Sequence, residues 1–139
     1  MKVIIAGNRS ITDYEAVVST IKRSGFKITE VVSGCDQGVD TLGLKYAAMN
    51  HIRVMKFPAN WSKYGRSAGF VRNAQMADYG EALIAIYVGN SRGTLNMIKQ
   101  AQDRKLPTYI VCLDNKPCPN TVCPNGCEDP CSLRGRLNG

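Results

Sequence analysis

Histidine is almost missing from this chain: His51 is the only one in 139 residues. That excludes a metal centre or a catalytic triad built on histidine. No stretch approaches the roughly 20 consecutive apolar residues that a membrane helix needs, so no membrane association is expected. The apolar opening Val3-Ile4-Ile5-Ala6 is too short for a signal peptide, and an intracellular, cytoplasmic protein is expected. The pattern Gly-x-Gly-x-x-Gly does not follow the first apolar run, where only Gly7 stands, which argues against an ordinary dinucleotide site. No Walker A lysine motif occurs either, which argues against a P-loop NTPase. Cysteine is scarce over most of the length: Cys35 is alone in the first 111 residues, whereas Cys112, Cys118, Cys123, Cys127 and Cys131 crowd into 20. Without an export signal, disulfides are the less expected use of these thiols.

What is present points to one ordinary globular domain. The apolar share is 44% and the charged share 21%, close to globular averages. The length suffices for one domain with a core and not for two. Lys and Arg number 18 against 11 Asp and Glu, a net charge of +7. Residues 112–139 sum to zero, with Lys116, Arg134 and Arg136 balancing Asp114, Glu128 and Asp129, so the whole excess lies in residues 1–111. A basic domain favours an anionic partner: a nucleotide, a nucleic acid or a phosphorylated metabolite.

Apolar runs suited to buried strands alternate with segments of helical periodicity. Strands are expected at Lys2–Ala6, Ile28–Ser33, Ile52–Phe57, Ala82–Val88 and Pro107–Cys112. Helices are expected from Thr12 or Asp13 to Ser24, stopped by Gly25, and over Asp36–Asn50, Ser67–Tyr79 and Arg92–Lys105. Residues 58–66 read as an ordered loop. The order β-α-β-α-β-α-β-α-β with near-continuous apolar strands predicts an α/β domain at 1–111: a single Rossmann-like, doubly wound, five-stranded parallel sheet with helices on both faces. Residues 112–139 form a separate Cys/Pro-rich tail without periodicity.

In such a sheet ligands bind beyond the carboxyl ends of the strands, near the switch in strand order. The unusual residues gather there. Gly7-Asn8-Arg9 follows the first strand, Ser33-Gly34-Cys35-Asp36-Gln37-Gly38-Val39-Asp40 the second, and Ser91-Arg92-Gly93-Thr94 the fourth. Trp61, Lys63, Tyr64 and Arg66 precede the third helix, and Arg72-Asn73 lie early in it. Glycine lets an anion approach unpaired N–H groups at a helix start, where the dipole is positive, and Arg9, Arg72 and Arg92 could clamp phosphate oxygens. The plainer reading is tight turns with solvated arginines, and three such loops at one sheet edge weigh against it. Asp40 either binds N–H or hydroxyl groups or caps its own helix. Trp61 and Tyr64 either stack on a base or cover the sheet edge. His51, at the far edge, suits a helix C-terminus.

These motifs resemble the SLOG superfamily. Ser33-Gly34, Gly38, Val39 and Asp40 are similar to the Ser-Gly-x-x-x-Gly-[Ile/Val]-Asp signature of its Smf/DprA branch. Gly7-Asn8-Arg9, Arg72-Asn73 with Met76-Ala77, and Ser91-Arg92-Gly93-Thr94 look like the small YspA/YpsA-related group of bacteria and phages. The resemblance covers residues 1–111. It implies a Rossmann-like domain that binds nucleotides or nucleotide-derived signals, and a homodimer or larger assembly. Its third and fourth helices would form the interface, with Met76, Met97 and Ile98 adding apolar area.

The LOG phosphoribohydrolases of this superfamily carry Glu-Arg-Lys-x-x-Met and Pro-Gly-Gly-x-Gly-Thr-x-x-Glu. This chain has Val71-Arg72-Asn73-Ala74-Gln75-Met76 at the first and Gly93-Thr94-Leu95-Asn96-Met97 at the end of the second, so Met97 stands where the acid would fall. Cleaving an N-glycosidic bond usually needs a carboxylate to activate water, which methionine cannot supply; Asp36 or Asp40 could substitute, but both sit on the second loop. The first expectation is therefore a sensor or sequestering protein that binds a nucleotide-derived ligand without turnover. A nucleoside-monophosphate phosphoribohydrolase and a Smf/DprA-like single-strand nucleic-acid binder are the alternatives. In the tail, Cys118, Cys123, Cys127 and Cys131 supply four thiols for a structural zinc, against a loose reduced tail or disulfides formed by oxidation.

Overall fold

Five short apolar segments pair side by side, all parallel, in the order β3-β2-β1-β4-β5. They are β1 (Lys2–Gly7), β2 (Glu30–Ser33), β3 (Arg53–Lys56), β4 (Ala82–Tyr87) and β5 (Thr108–Cys112). The structure is a computed structural model and describes residues 1–113. The four tail thiols Cys118, Cys123, Cys127 and Cys131 proposed for zinc lie outside the described residues.

Strand alternation sends neighbouring side chains to opposite faces, and each face has its own core. Ile4, Leu83 and Ala85 pack with Met76, Met97, Ile98 and Ala101, which come from helices α4 (Ala68–Tyr79) and α5 (Arg92–Asp103). Val3, Ile5, Ile84 and Ile86 pack with Val17, Ile21, Val39 and Ala47, from α1 (Tyr14–Ser24) and α2 (Val39–Met49). The doubly wound α/β architecture expected from the sequence is the one found. Among the described residues no helix is long and apolar enough to cross a membrane.

Local chemistry explains the helix ends. Asp13 caps α1 by accepting a hydrogen bond from the Ala16 amide, and Gly25 closes it in the left-handed conformation at φ 73°. His51 follows α2, exposed and at φ 56°, away from the loops at the carboxyl ends of the strands.

Four expectations need correction. The second helix begins at Val39, not at Asp36, because Gly38 at φ 76° turns the chain against the Asn8 carbonyl, where a Cβ would stand 2.1 Å away. The segment read as a loop at 58–66 contains a helical turn, α3 (Trp61–Tyr64), continued by a 3₁₀ turn over Gly65–Ser67. The third strand is not buried: all four residues of β3 are exposed on the sheet's free edge. Met76, Met97 and Ile98 are each 1% exposed or less, so they belong to the core of the single chain and offer no area to a partner.

Candidate functional site

Strand β1 is flanked by β2 and β4, so the chain winds outward from it in both directions. The loops after β1 and β4 must therefore part, and a crevice opens between them. Asn8 holds its floor together. Its amide donates to the Val88 carbonyl at 3.1 Å and its carbonyl accepts from the Val88 amide at 3.2 Å. Expected as a ligand contact, Asn8 is thus a backbone mimic that ties the two diverging loops.

The cleft at this crevice has a volume of about 320 Å³, at the low end for small-molecule sites. It brings together residues from five segments. Gly7, Asn8 and Arg9 come from the first loop, Asp36 and Asp40 from the second, and Trp61 from α3. Arg72 and Asn73 enter from α4, and Ser91, Gly93 and Thr94 from the start of α5. Arg66, Gly69 and Phe70 also line it, with Met76 and Met97. None of those five was singled out from the sequence as a ligand contact. Arg66 and Phe70 are exposed side chains without periodic signal, and Met97 was read as the place of a missing acid and as apolar area for an interface.

Several expected contacts stand apart from the cleft wall. Ser33 is fully buried; its hydroxyl donates to the Asp40 carbonyl at 3.3 Å and accepts from the Cys35 amide at 3.1 Å. Gly34 and Gly38 shape the second loop from behind. Arg92 is exposed at the start of α5, outside the lining. Tyr64 faces a neighbouring groove, with the Lys63 ammonium 5.1 Å from its ring centroid.

Arg72 is the centre of the site. It is only 7% exposed, and three of its five N–H donors are bonded within the protein. It donates to the Gly34 carbonyl at 2.6 Å, to Asn73 Oδ1 at 3.0 Å and to Asp36 Oδ2 at 3.0 Å. Asn73 in turn donates to the Gly93 carbonyl at 3.2 Å and to Asn96 Oδ1 at 3.1 Å. This chain of bonds couples the second loop, α4 and the first turn of α5. Arg72, expected to clamp phosphate oxygens, is a largely buried residue that joins these segments and also lines the cleft. Arg9 is the freer cation, with its side chain 72% exposed and 4.0 Å from Asp36.

The two carboxyl groups differ in environment. Asp36 is 31% exposed and paired with Arg72. Asp40 is 4% exposed. Burial pushes its pKa up to about 7, against the pull of Arg72; the nearby Asp36 charge adds to the rise, and the Asp36 and Gly7 amides oppose it. Near neutral pH Asp40 is thus a partly protonated carboxyl on the cleft wall.

The start of α5 is polar and open. Ser91 occupies the N-cap position, but its side chain caps no backbone amide of the helix; its hydroxyl donates to Thr94 Oγ1 at 2.8 Å instead. A Cβ placed on Gly93 would meet nothing within 4 Å. The positive end of the helix dipole therefore faces the cleft beside two hydroxyls. Among the described residues no group of three or more His, Cys, Asp or Glu side chains is placed to hold a metal.

Comparison with known proteins finds likenesses in sequence and in fold. Residues 1–64 match the family described as "YspA, cpYpsA-related SLOG family". The Gene 61 protein of Mycobacterium phage D29 is 27% identical over 127 residues, spanning 84% of this chain and 98% of that protein. The X-ray structure of DNA processing protein A (DprA) from Streptococcus pneumoniae superposes with a TM-score of 0.66 at 16% identity, covering 97% of this chain. This chain spans only 56% of that structure, and the likeness is one of fold.

Proposed function

With its N-terminal residues 1–64 in the SLOG superfamily and the same fold continuing beyond them, we propose that the cleft binds one unit of a nucleotide or nucleotide-derived small molecule and retains it without turnover. The observation that carries this reading is the uncapped start of α5, which opens into a cleft rimmed by Arg9 and Arg66 and by exposed Trp61 and Phe70. Phosphate oxygens suit the helix start, with Ser91 and Thr94 beside it and the guanidinium groups above. A base suits the two aromatic rings. The cleft's volume of about 320 Å³ suits one nucleotide unit rather than two.

Retention follows from the state of the carboxyls. Hydrolysis of an N-glycosidic bond needs a free carboxylate beside water and the sugar. Met97 fills the position of the missing acid, Asp36 is paired with Arg72, and Asp40 is buried and only partly ionised near neutral pH. Such a protein acts as a sensor or a store for its ligand.

Mass spectrometry of small molecules released from the purified, denatured protein tests the reading. An intact nucleotide is expected, and it survives prolonged incubation with the protein. Free base and ribose 5-phosphate accumulating with time and protein concentration would make the chain a phosphoribohydrolase. Binding of oligonucleotides alone, with steep salt dependence, would make it a nucleic-acid binder.

A further inference from the structure

A second cavity lies on the other side of α3, and its volume, about 320 Å³, equals that of the cleft. Asn60, Lys63, Tyr64 and Gln75 line it, together with Arg72, which also lines the cleft. Among the described residues no carboxylate lines this groove: its ionisable groups are the Lys63 ammonium, the Tyr64 phenol and the edge of the Arg72 guanidinium. The single turn of α3 forms the partition, with Trp61 on the cleft side and Lys63 and Tyr64 on the groove side. Gly69 lies on the cleft side, where a Cβ would lie 3.8 Å from Trp61 Cη2 and 3.9 Å from Arg72 Nη2. With hydrogen there instead of a side chain, the space between the indole and the guanidinium stays unfilled.

We propose that the groove is a second nucleotide subsite, so that the ligand of this protein is a dinucleotide whose two units straddle α3. This rests on the assignment of one nucleotide unit to the cleft. The chemistry of the two sides is complementary to such a ligand. The cleft offers a helix start and two aromatic rings, whereas the groove offers a phenol ring with a cation stacked over it and two amide side chains. An ammonium beside an aromatic ring, with no competing carboxylate, suits a phosphate carrying a stacked base. Arg72 touches both cavities, so the backbone linking the two units has a guanidinium edge at its midpoint. Neither cavity alone holds more than one unit.

The probes are the four nucleoside 5′-monophosphates and the four matching 5′-phosphorylated homodinucleotides, with affinities measured by calorimetry on the full chain. The preferred dinucleotide should bind about tenfold or more tighter than its monophosphate, as one added charge-assisted hydrogen bond would give. Lys63 and Gln75 are exposed, so the double variant Lys63→Ala/Gln75→Ala should fold normally. It should remove the dinucleotide's advantage and leave monophosphate affinity within about twofold, since neither side chain lines the cleft. Equal affinities for the two probes, or a double variant that keeps the advantage, overturn the second subsite. Affinity that keeps climbing for longer oligonucleotides, with steep salt dependence, overturns it in favour of a single-strand track. If neither monophosphates nor dinucleotides bind, the assignment of the cleft itself falls, and the groove falls with it.

Discussion

Arg72 reaches across 38 residues of sequence to donate a 2.6 Å hydrogen bond to the carbonyl of Gly34. A Cβ at position 34 would stand 2.4 Å from the same Nη1 atom. Glycine is needed there for room, and the occupant of the room is the arginine, not a ligand. Gly34→Ala should therefore destabilise the fold by about 1–3 kcal/mol through overpacking. Arg72→Ala should cost about 2–3 kcal/mol, less than a fully buried pair because Asp36 is 31% exposed. Chemical denaturation measures both. Stabilities equal to that of the unaltered chain would remove Arg72 from its keystone role.

The free cations should behave in the opposite way. Arg9 and Arg66 are exposed at the rim of the cleft. Arg9→Ala and Arg66→Ala should each weaken binding of the co-purified nucleotide by about 1.5–3 kcal/mol, the range for hydrogen bonds to charged groups. Their unfolding midpoints should scarcely move, since exposed substitutions change stability by only about 0.5 kcal/mol or less. Unchanged affinity in both would assign these side chains to solvent.

Asp40 predicts a pH profile. Its ordinary carboxyl pKa of 3.8 applies to the unfolded chain, and burial raises the folded value to about 7. Between those values the folded state holds the extra proton, so this group's contribution to stability falls as pH rises from about 4 and levels off above about 7. The slope is about 1.4 kcal/mol for every pH unit between the two values. Asp40→Asn, which resembles the protonated acid in shape, should flatten that slope. A variant with the same pH dependence as the parent would show that Asp40 does not set it.

Trp61 is the chain's only tryptophan and is 55% exposed. Its emission therefore reports on the cleft without interference. A base stacked on the indole should quench it on titration with the co-purified nucleotide. Trp61→Ala should weaken binding by about 1–3 kcal/mol, as truncating a stacking platform does. Saturable binding with unchanged emission would return Trp61 to the role of a cover for the loop.

The sheet was legible in the sequence because its central strands are apolar almost throughout. Ile4, Ile5, Leu83 and Ile84 are fully buried, and such runs between amphipathic segments leave few folds. The free edge was not legible, because Val54 and Met55 look like core residues until the position of β3 in the sheet is known. The turn of α3 was invisible for a simpler reason: four residues are too few to show a helical period. At the site, the small and polar residues at the strand ends foretold which loops meet. They could not foretell that Arg72 would be spent on Gly34, Asn73 and Asp36, since each bond depends on how α4 packs. Arg66 stood among the unusual residues before the third helix without a role, Phe70 carried no pattern at all, and the shape of the cleft gives both a place on its wall.

The free edge has a consequence for how the molecule keeps its sheet to itself. Among the described residues strand β3 exposes Arg53, Val54, Met55 and Lys56 in a row with no strand beyond it, and an unpaired row of backbone groups invites a second strand to dock. If two copies met there antiparallel, with Val54 opposite Met55, each Arg53 would fall opposite a Lys56. Two like-charge pairs would then flank the two Val54–Met55 pairs, and like charges directly opposite are destabilising. The strand closes itself to its own kind through charge. Replacing Arg53 and Lys56 with neutral residues would open the way to sheet-to-sheet fibres at high protein concentration.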